Sequence, residues 1–309
     1  MMRIRNAEET LAHLYKEEQQ MRTPTHFAIG QEAVAVGVSG ALRKDDVVYS
    51  GHRCHAHYLA KGGDLRGMVA ELHGKVTGCA RGRGGSVHLT DLSAGVVASS
   101  AILGQTVAVA VGTGMAFQMD RQDRVAVTYF GDGAIEEGVW HESLNLAAVR
   151  KAPVLFVCEN NLYSTLTPLS VRQPKDVEIW QRGASYSIPA QKVDGNDVTT
   201  VYDAASEAVA QIREGKGPYL LECMTYRWRE HVGPLWDYAW GYRSKEEVDS
   251  WMARCPIKRL SESLLQEGVL SQSDLDRIRR ELEEELREAV AFAKESPFPA
   301  VEDILTGTY

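Results

Sequence analysis

Asp132 and Asn161 are the residues whose type and spacing first suggest chemistry. Asp132 sits in Gly131-Asp132-Gly133, directly after the apolar, β-branched and aromatic run Val125–Phe130; Asn161 closes Glu159-Asn160-Asn161 after a second such run, Val154–Cys158. By itself Asp-Gly is a turn and Asn-Asn a loop. The intervening chain changes that reading. From Glu136 to Arg150 the residues Val139, Trp140, Leu144, Ala147 and Ala148 recur at helical spacing, Glu136 and Glu137 stand in the first turn, and Pro153 follows. A strand-helix-strand unit is right-handed, so its strands run parallel and end on one edge of the sheet. Asp132 and Asn161, 29 positions apart, are therefore expected to meet. One carboxylate and one amide oxygen beside a helix N-terminus suit a small hard cation that also carries phosphate oxygens, which is magnesium chemistry. The flanking glycines let the backbone approach a diphosphate, and N–H groups at the helix start can bind it.

The elements that position these residues follow from the rest of the chain. With 309 residues, 44% hydrophobic and 25% charged, the protein can bury a large core. A net charge of −8 argues against nucleic acid as the main partner. Cys54, Cys79, Cys158, Cys223 and Cys255 show no CxxC or zinc spacing, and MMRIRNAEE has no apolar secretory core, so a reduced cytoplasmic protein is expected. Gly95–Met119 is weakly polar but contains Ser99, Ser100, Gln105 and several glycines, and reads as a buried helix on the sheet rather than a membrane span.

A first helix is expected from an Asn6/Glu9 capping box to about Met21, then a small-residue helix after TPTHFAIGQEA. Val47–Tyr49 should be a short strand opening into SGHRCHAHYLAKGGD, where Arg53 and Lys61 beside the histidines favour an anion over a metal. Asp64–His73 reads as a helix, and GCARGRGGSVHLTD as a glycine-rich loop able to cradle an anion. It is no P-loop, and no GxGxxG follows a strand. Further on, Asp176–Gly183 is predicted helical, Ile188–Val193 a strand, and a helix capped by Thr200 and Asp203 runs to Gly215. Tyr219–Tyr226 is the last buried strand, and TYRWREHVGPLWDYAWGYRSKEE beyond it is a mobile-loop candidate. From Ser244 the chain is helical and charged, with an apolar stripe at Leu275, Ile278, Leu282, Leu286 and Val290. The alternation predicts an α/β fold with a doubly wound, mostly parallel sheet over residues 1–243, and a helical C-terminal extension over 244–309.

GDG followed by NN in this setting resembles the thiamine diphosphate signature. GDGAIEEGVWHESLNLAA and VCENNLYSTLTP resemble, in detail, the alpha subunit of the first, decarboxylating component of 2-oxoacid dehydrogenase complexes. The resemblance covers nearly the whole chain. It implies a thiamine diphosphate-binding fold in which Asp132, Asn161 and the Tyr163 carbonyl hold magnesium, while Arg53 and the Gly131-Asp132-Gly133-Ala134 backbone hold the diphosphate. His52 takes a position where tyrosine is common, and Leu103 takes that of an apolar residue that buttresses the folded cofactor; Ala101 replaces a glycine there. His231 matches a histidine facing the reacting carbons, with His55 implied nearby for proton transfer. Glu230 replaces a glycine, and Val232 stands where some relatives carry a phosphorylated serine.

The implied activity is oxidative decarboxylation of a 2-oxoacid such as pyruvate, with acyl transfer to a lipoyl-bearing acyltransferase. The chain is too short for both cofactor-binding domains plus the extension, so a separate beta subunit and a two-alpha, two-beta assembly are expected. Cleavage of acetoin or formation of acyloins on the same scaffold is the alternative, and a non-catalytic subunit a further one.

Overall fold

In the computed structural model, which describes residues 1–21 and 23–305, the strands are β1 (Val47–Ser50), β2 (Val96–Ser99), β3 (Ala126–Gly131), β4 (Val154–Asn160), β5 (Tyr163–Ser164), β6 (Thr167–Pro168), β7 (Ala190–Asp194) and β8 (Tyr219–Met224). β5 and β6 pair as a small antiparallel hairpin. The other six form one sheet in the order β2-β1-β3-β4-β8-β7, and every neighbouring pair in it is parallel. The chain adopts the expected α/β class with helices on both faces.

Alternation along the strands divides the core in two. Val127, Tyr129, Leu155 and Val157 enter one cluster, beneath α1 (Met2–Glu17), α2 (Glu32–Gly40), α3 (His55–Ala60) and α4 (Leu65–Leu72). Ala126, Phe130, Val154, Phe156 and Cys158 enter the other, beneath α5 (Gln105–Met119) and α6 (Gly138–Arg150). Coverage on both faces is why these strands read as continuous apolar runs. After the short α7 (Leu169–Arg172), helix α8 (Val198–Arg213) returns to the first face through Val201, Ala204, Ala205, Ala208, Val209 and Ile212. The extension contains α9 (Lys245–Met252), α10 (Pro256–Gln266) and α11 (Gln272–Glu295). Leu286, Ala289 and Ala293 of α11 join the same core as Ile4 and Leu11 of α1 and Met68 of α4, so the extension is packed onto the body. The last part of the expected extension, 306–309, lies outside the described residues.

Several boundaries differ from the sequence reading. α1 starts at Met2, so Asn6 lies inside the helix; Ile4 is buried and Arg5 pairs with Glu32 at 2.5 Å, and these tertiary contacts outweigh the local cap pattern. Gly95–Met119 is a strand followed by a helix, because Val48 and Ser50 of β1 offer a free edge with which β2 pairs. Asp176–Gly183 is not an α-helix: a 3-10 segment runs over Trp180–Tyr186, where the Glu222 carboxylate accepts the Trp180 N–H at 2.9 Å. α8 is capped by Asp197, whose side chain accepts from the N–H groups of Thr199 and Thr200, and not by Thr200 and Asp203. Among the described residues no helix is long and apolar enough to cross a membrane.

β1 connects to β2 on one side and β3 to β4 on the other. The crossovers therefore diverge between the carboxyl ends of β1 and β3, which opens a crevice at the point where ligands bind in open parallel sheets.

Candidate active site

A cavity of about 270 Å³ fills that crevice. Its wall takes Ser50, Gly51, His52 and Arg53 from the end of β1, Gly131 to Ala134 from the end of β3, and Glu159, Asn161 and Tyr163 from the end of β4 and beyond. The two strand ends meet as the parallel rule requires: Gly131 is in register with Glu159, and the Asn161 backbone is near enough to Asp132 to oppose the rise in its pKa. The predicted α-helix begins only at Gly138, after a 3-10 turn over Asp132–Glu136. A Cβ at Gly133 would lie 2.5 Å from the Ser164 hydroxyl, so only glycine lets the β5–β6 hairpin close over this turn.

The Asp132 carboxylate is 1% exposed. Burial raises its pKa, opposed by Arg172, whose Nη2 pairs with Oδ2 while Nη1 reaches Glu136 at 2.5 Å. Arg172 has no signature in the sequence, since it stands on a short helix 40 positions away. Asn161 donates through Nδ2 to Gln31 at 3.1 Å and accepts the Tyr163 N–H on Oδ1 at 3.2 Å. The Tyr163 side chain turns to Glu247, with its hydroxyl 2.8 Å from Oε2, and burial with that carboxylate pushes its pKa up to about 12. Its hydroxyl is therefore engaged outside the Asp132–Asn161 pair.

Arg53 is buried, donating to the carbonyls of Phe27 at 2.5 Å and His231 at 3.3 Å. Burial, with Arg227 next, lowers its pKa to about 9. Among the described residues no carboxylate forms an ion pair with it. A desolvated guanidinium lining a cavity without a paired anion is built to receive one. Leu103 lines the opposite wall and is 38% exposed.

The histidines divide differently from expectation. His55 does not reach the cavity: it is fully buried, with Nδ1 2.5 Å from Glu8 and Nε2 2.9 Å from Ser86. It starts α3, and the turn of that helix points it under the sheet edge, where it ties α1 to the glycine-rich loop. Its expected part in proton transfer is corrected to that of a buried tie. His57, one turn-half further, takes the cavity side, 2.7 Å from Ser50, 3.2 Å from Glu159 and stacked on Tyr129. His52 and His231 do reach the cavity, and His26 joins them, with ring centroids 4.6 Å (His26–His52), 5.1 Å (His26–His231) and 5.3 Å (His52–His231) apart. Burial, with Arg53 second, lowers the pKa of His26 to about 2, of His52 to about 3 and of His231 to about 2. All three are neutral at physiological pH. His26 carried no signal except its place just ahead of Gly30-Gln31-Glu32-Ala33.

The segment read as a mobile loop is cross-braced. Asp237 receives Arg227 at 3.0 Å and Arg243 at 2.5 Å, and Arg243 donates to the Arg227 carbonyl at 2.8 Å. Glu230 closes the turn beside His231 by accepting the Leu235 N–H at 2.8 Å. The glycine-rich loop does cradle an anion, but one of its own: the N–H groups of Ala80, Gly82, Gly84 and Gly85 all donate to the Glu71 carboxylate.

Asp132, Asn161 and Arg53 thus line one cavity at the switch-point crevice. The sequence matches the family described as dehydrogenase E1 component over residues 1–302. The chain belongs to this family. It is 39% identical to the alpha subunit of acetoin:2,6-dichlorophenolindophenol oxidoreductase from Bacillus subtilis (strain 168), over 100% of this chain and 91% of that one. It is 40% identical to the pyruvate dehydrogenase E1 component subunit alpha from Rhizobium meliloti (strain 1021), over 91% of this chain and 80% of the relative. A second acetoin oxidoreductase alpha subunit, from Cupriavidus necator, is 38% identical over 100% and 92% of the two chains. Within the E1 family, then, the relatives divide between two substrates, pyruvate and acetoin.

Proposed function

We propose that this E1 chain is the alpha subunit of a thiamine diphosphate- and magnesium-dependent enzyme that decarboxylates a 2-oxoacid such as pyruvate and passes the acyl group to a lipoyl carrier. The observation that carries the reading is the convergence of Asp132, Asn161 and Arg53 on one cavity. These residues fit the cofactor: Asp132, Asn161 and the Tyr163 carbonyl would hold magnesium, and Arg53 with the Gly131–Ala134 backbone would hold the diphosphate. Bound there, thiamine diphosphate supplies an electron sink for the bond between the carbonyl carbon and the departing carboxylate.

The chain's own groups do the rest. Leu103 presents an apolar wall to the folded cofactor. In this reading His231 and His52, which line the cavity, exchange a proton at a ring nitrogen once negative charge on the substrate raises their lowered pKa values. Arg53, 3.5 Å from His231 Nδ1, keeps that ring deprotonated until substrate charge offsets the guanidinium. We infer a separate beta chain that completes the cofactor pocket in a two-alpha, two-beta assembly, in a reducing compartment consistent with five free thiols.

The relatives also favour an alternative. Alpha subunits of acetoin oxidoreductases match this chain at 39% and 38% identity, beside 40% for the pyruvate dehydrogenase subunit, so acetoin cleavage at the same site is the second reading. The test is the chain co-purified with its beta subunit, assayed for thiamine diphosphate binding by calorimetry with and without magnesium, and for turnover of 2-oxoacids and of acetoin with a lipoyl or dye acceptor. Magnesium-dependent binding with 2-oxoacid turnover supports the first reading and acetoin turnover alone the second. Turnover by the purified alpha chain without a partner contradicts the assembly.

A further inference from the structure

We propose that His26, His52 and His231, which line the same cavity as Asp132, form a binding site for a borderline-soft divalent cation of the zinc class, built from ring nitrogens rather than oxygens. The three side chains come from three loops far apart in the chain, yet one ring nitrogen of each lies within 4.8 Å of the other two. Zinc–nitrogen bonds of about 2.0–2.1 Å in tetrahedral geometry place ligand nitrogens about 3.3 Å apart, so rotation of the rings by roughly 1.5 Å at their tips completes the set. Imidazole is a ligand for zinc, cobalt, nickel and copper, and a poor one for magnesium, which takes oxygen.

One further observation supports the assignment. His26 Nδ1 is buried and has no hydrogen-bond partner, although buried ring nitrogens are ordinarily paired. Arg53 opposes a cation, since its Nη2 stands 3.5 Å from His231 Nδ1. The same guanidinium favours an anion in the fourth position, which three protein ligands leave open, as in catalytic zinc sites. An ion held here ties the loops of His26, His52 and His231 together and takes up part of the cavity, so zinc is expected to inhibit whichever reaction the site performs. The inference stands on these three side chains and not on the thiamine diphosphate reading.

The probe is cobalt(II) added to the full-length, metal-free chain and followed by visible absorption, with zinc and magnesium as competitors. One equivalent of cobalt should give the intense bands of a four-coordinate, nitrogen-ligated ion; zinc should abolish them and magnesium should not. His26→Gln and His52→Gln should each weaken cobalt binding ~100-fold, whereas His13→Gln, at an exposed histidine of α1, should leave it unchanged. Absence of four-coordinate bands from the wild-type chain overturns the proposal without any variant. Bands that persist in His26→Gln or His52→Gln, whichever retains the native circular dichroism, overturn it as well, as does a loss confined to His13→Gln. A six-coordinate spectrum abolished by magnesium would place the ion at Asp132 and also sink the assignment. Magnesium-dependent binding of thiamine diphosphate is read separately, so either result can fail alone.

Discussion

Two anion-binding regions of this molecule look alike in sequence and differ in what their donors bind. The glycine-rich loop around Gly82 to Gly85 and the Arg53 loop with its facing Gly131-Asp132-Gly133 turn are each built from glycines and basic residues. In the first, four peptide N–H groups converge on the Glu71 carboxylate, at 2.7 Å from Gly84 and 3.1 Å from Gly85. That loop is satisfied from within the fold, and its basic side chains point elsewhere. In the second, the Arg53 guanidinium has carbonyl partners and, among the described residues, no carboxylate in an ion pair with it, and it lines a cavity. A glycine-rich basic loop marks a ligand site only when its donors are left unspent, and that depends on which acidic side chain the tertiary structure brings to it.

The contrast can be broken by experiment. Asp132→Ala should have the largest effect, abolishing magnesium-dependent binding of thiamine diphosphate by the assembled protein in calorimetry, because the buried carboxylate at the end of β3 is removed; unchanged affinity would refute the ligand assignment. Glu71→Ala should do the opposite. Leaving one buried and three part-buried N–H groups without their acceptor should cost on the order of 3 kcal/mol in denaturant unfolding, while cofactor affinity of the folded protein changes less than about twofold. A matching fall in affinity would place the glycine-rich loop in the cofactor site and erase the distinction.

Arg53→Lys keeps the charge and loses the planar fork, so diphosphate affinity should drop ~10-fold or more with little change in thermal midpoint. If stability falls and affinity does not, Arg53 is a structural residue like Glu71. Arg172→Gln is expected to be the mildest, lowering stability by about 1–2 kcal/mol as buried Asp132 loses its cation. Stability that rises instead would mean that the pair costs more to desolvate than it returns.

The sheet edge was legible because it rests on local periodicity and chain handedness. Apolar runs ended by Gly-Asp-Gly and Asn-Asn, with an amphipathic helix between them, leave little freedom in where Asp132 and Asn161 emerge. The β2 strand was hidden inside Gly95–Met119, because an apolar run of that kind suits either element until an edge is available to pair with it. Histidines 52, 55 and 57 were the hardest to sort. At the start of a helix, neighbours two or three positions apart face different ways, and only packing shows that His55 turns to Glu8 while His57 and His52 turn to the cavity.

By itself the sequence determined the parallel α/β scaffold, the strand ends that carry Asp132 and Asn161, and membership of a family with a shared cofactor. Tertiary structure alone decided which polar groups meet: Arg172 on Asp132, Glu71 in the glycine-rich loop, and His26 beside His52 and His231. The reason is range. Periodicity and handedness act over one element and its neighbour, whereas burial places side chains from remote segments in a low-dielectric interior, where pairing or its absence is worth several kcal/mol.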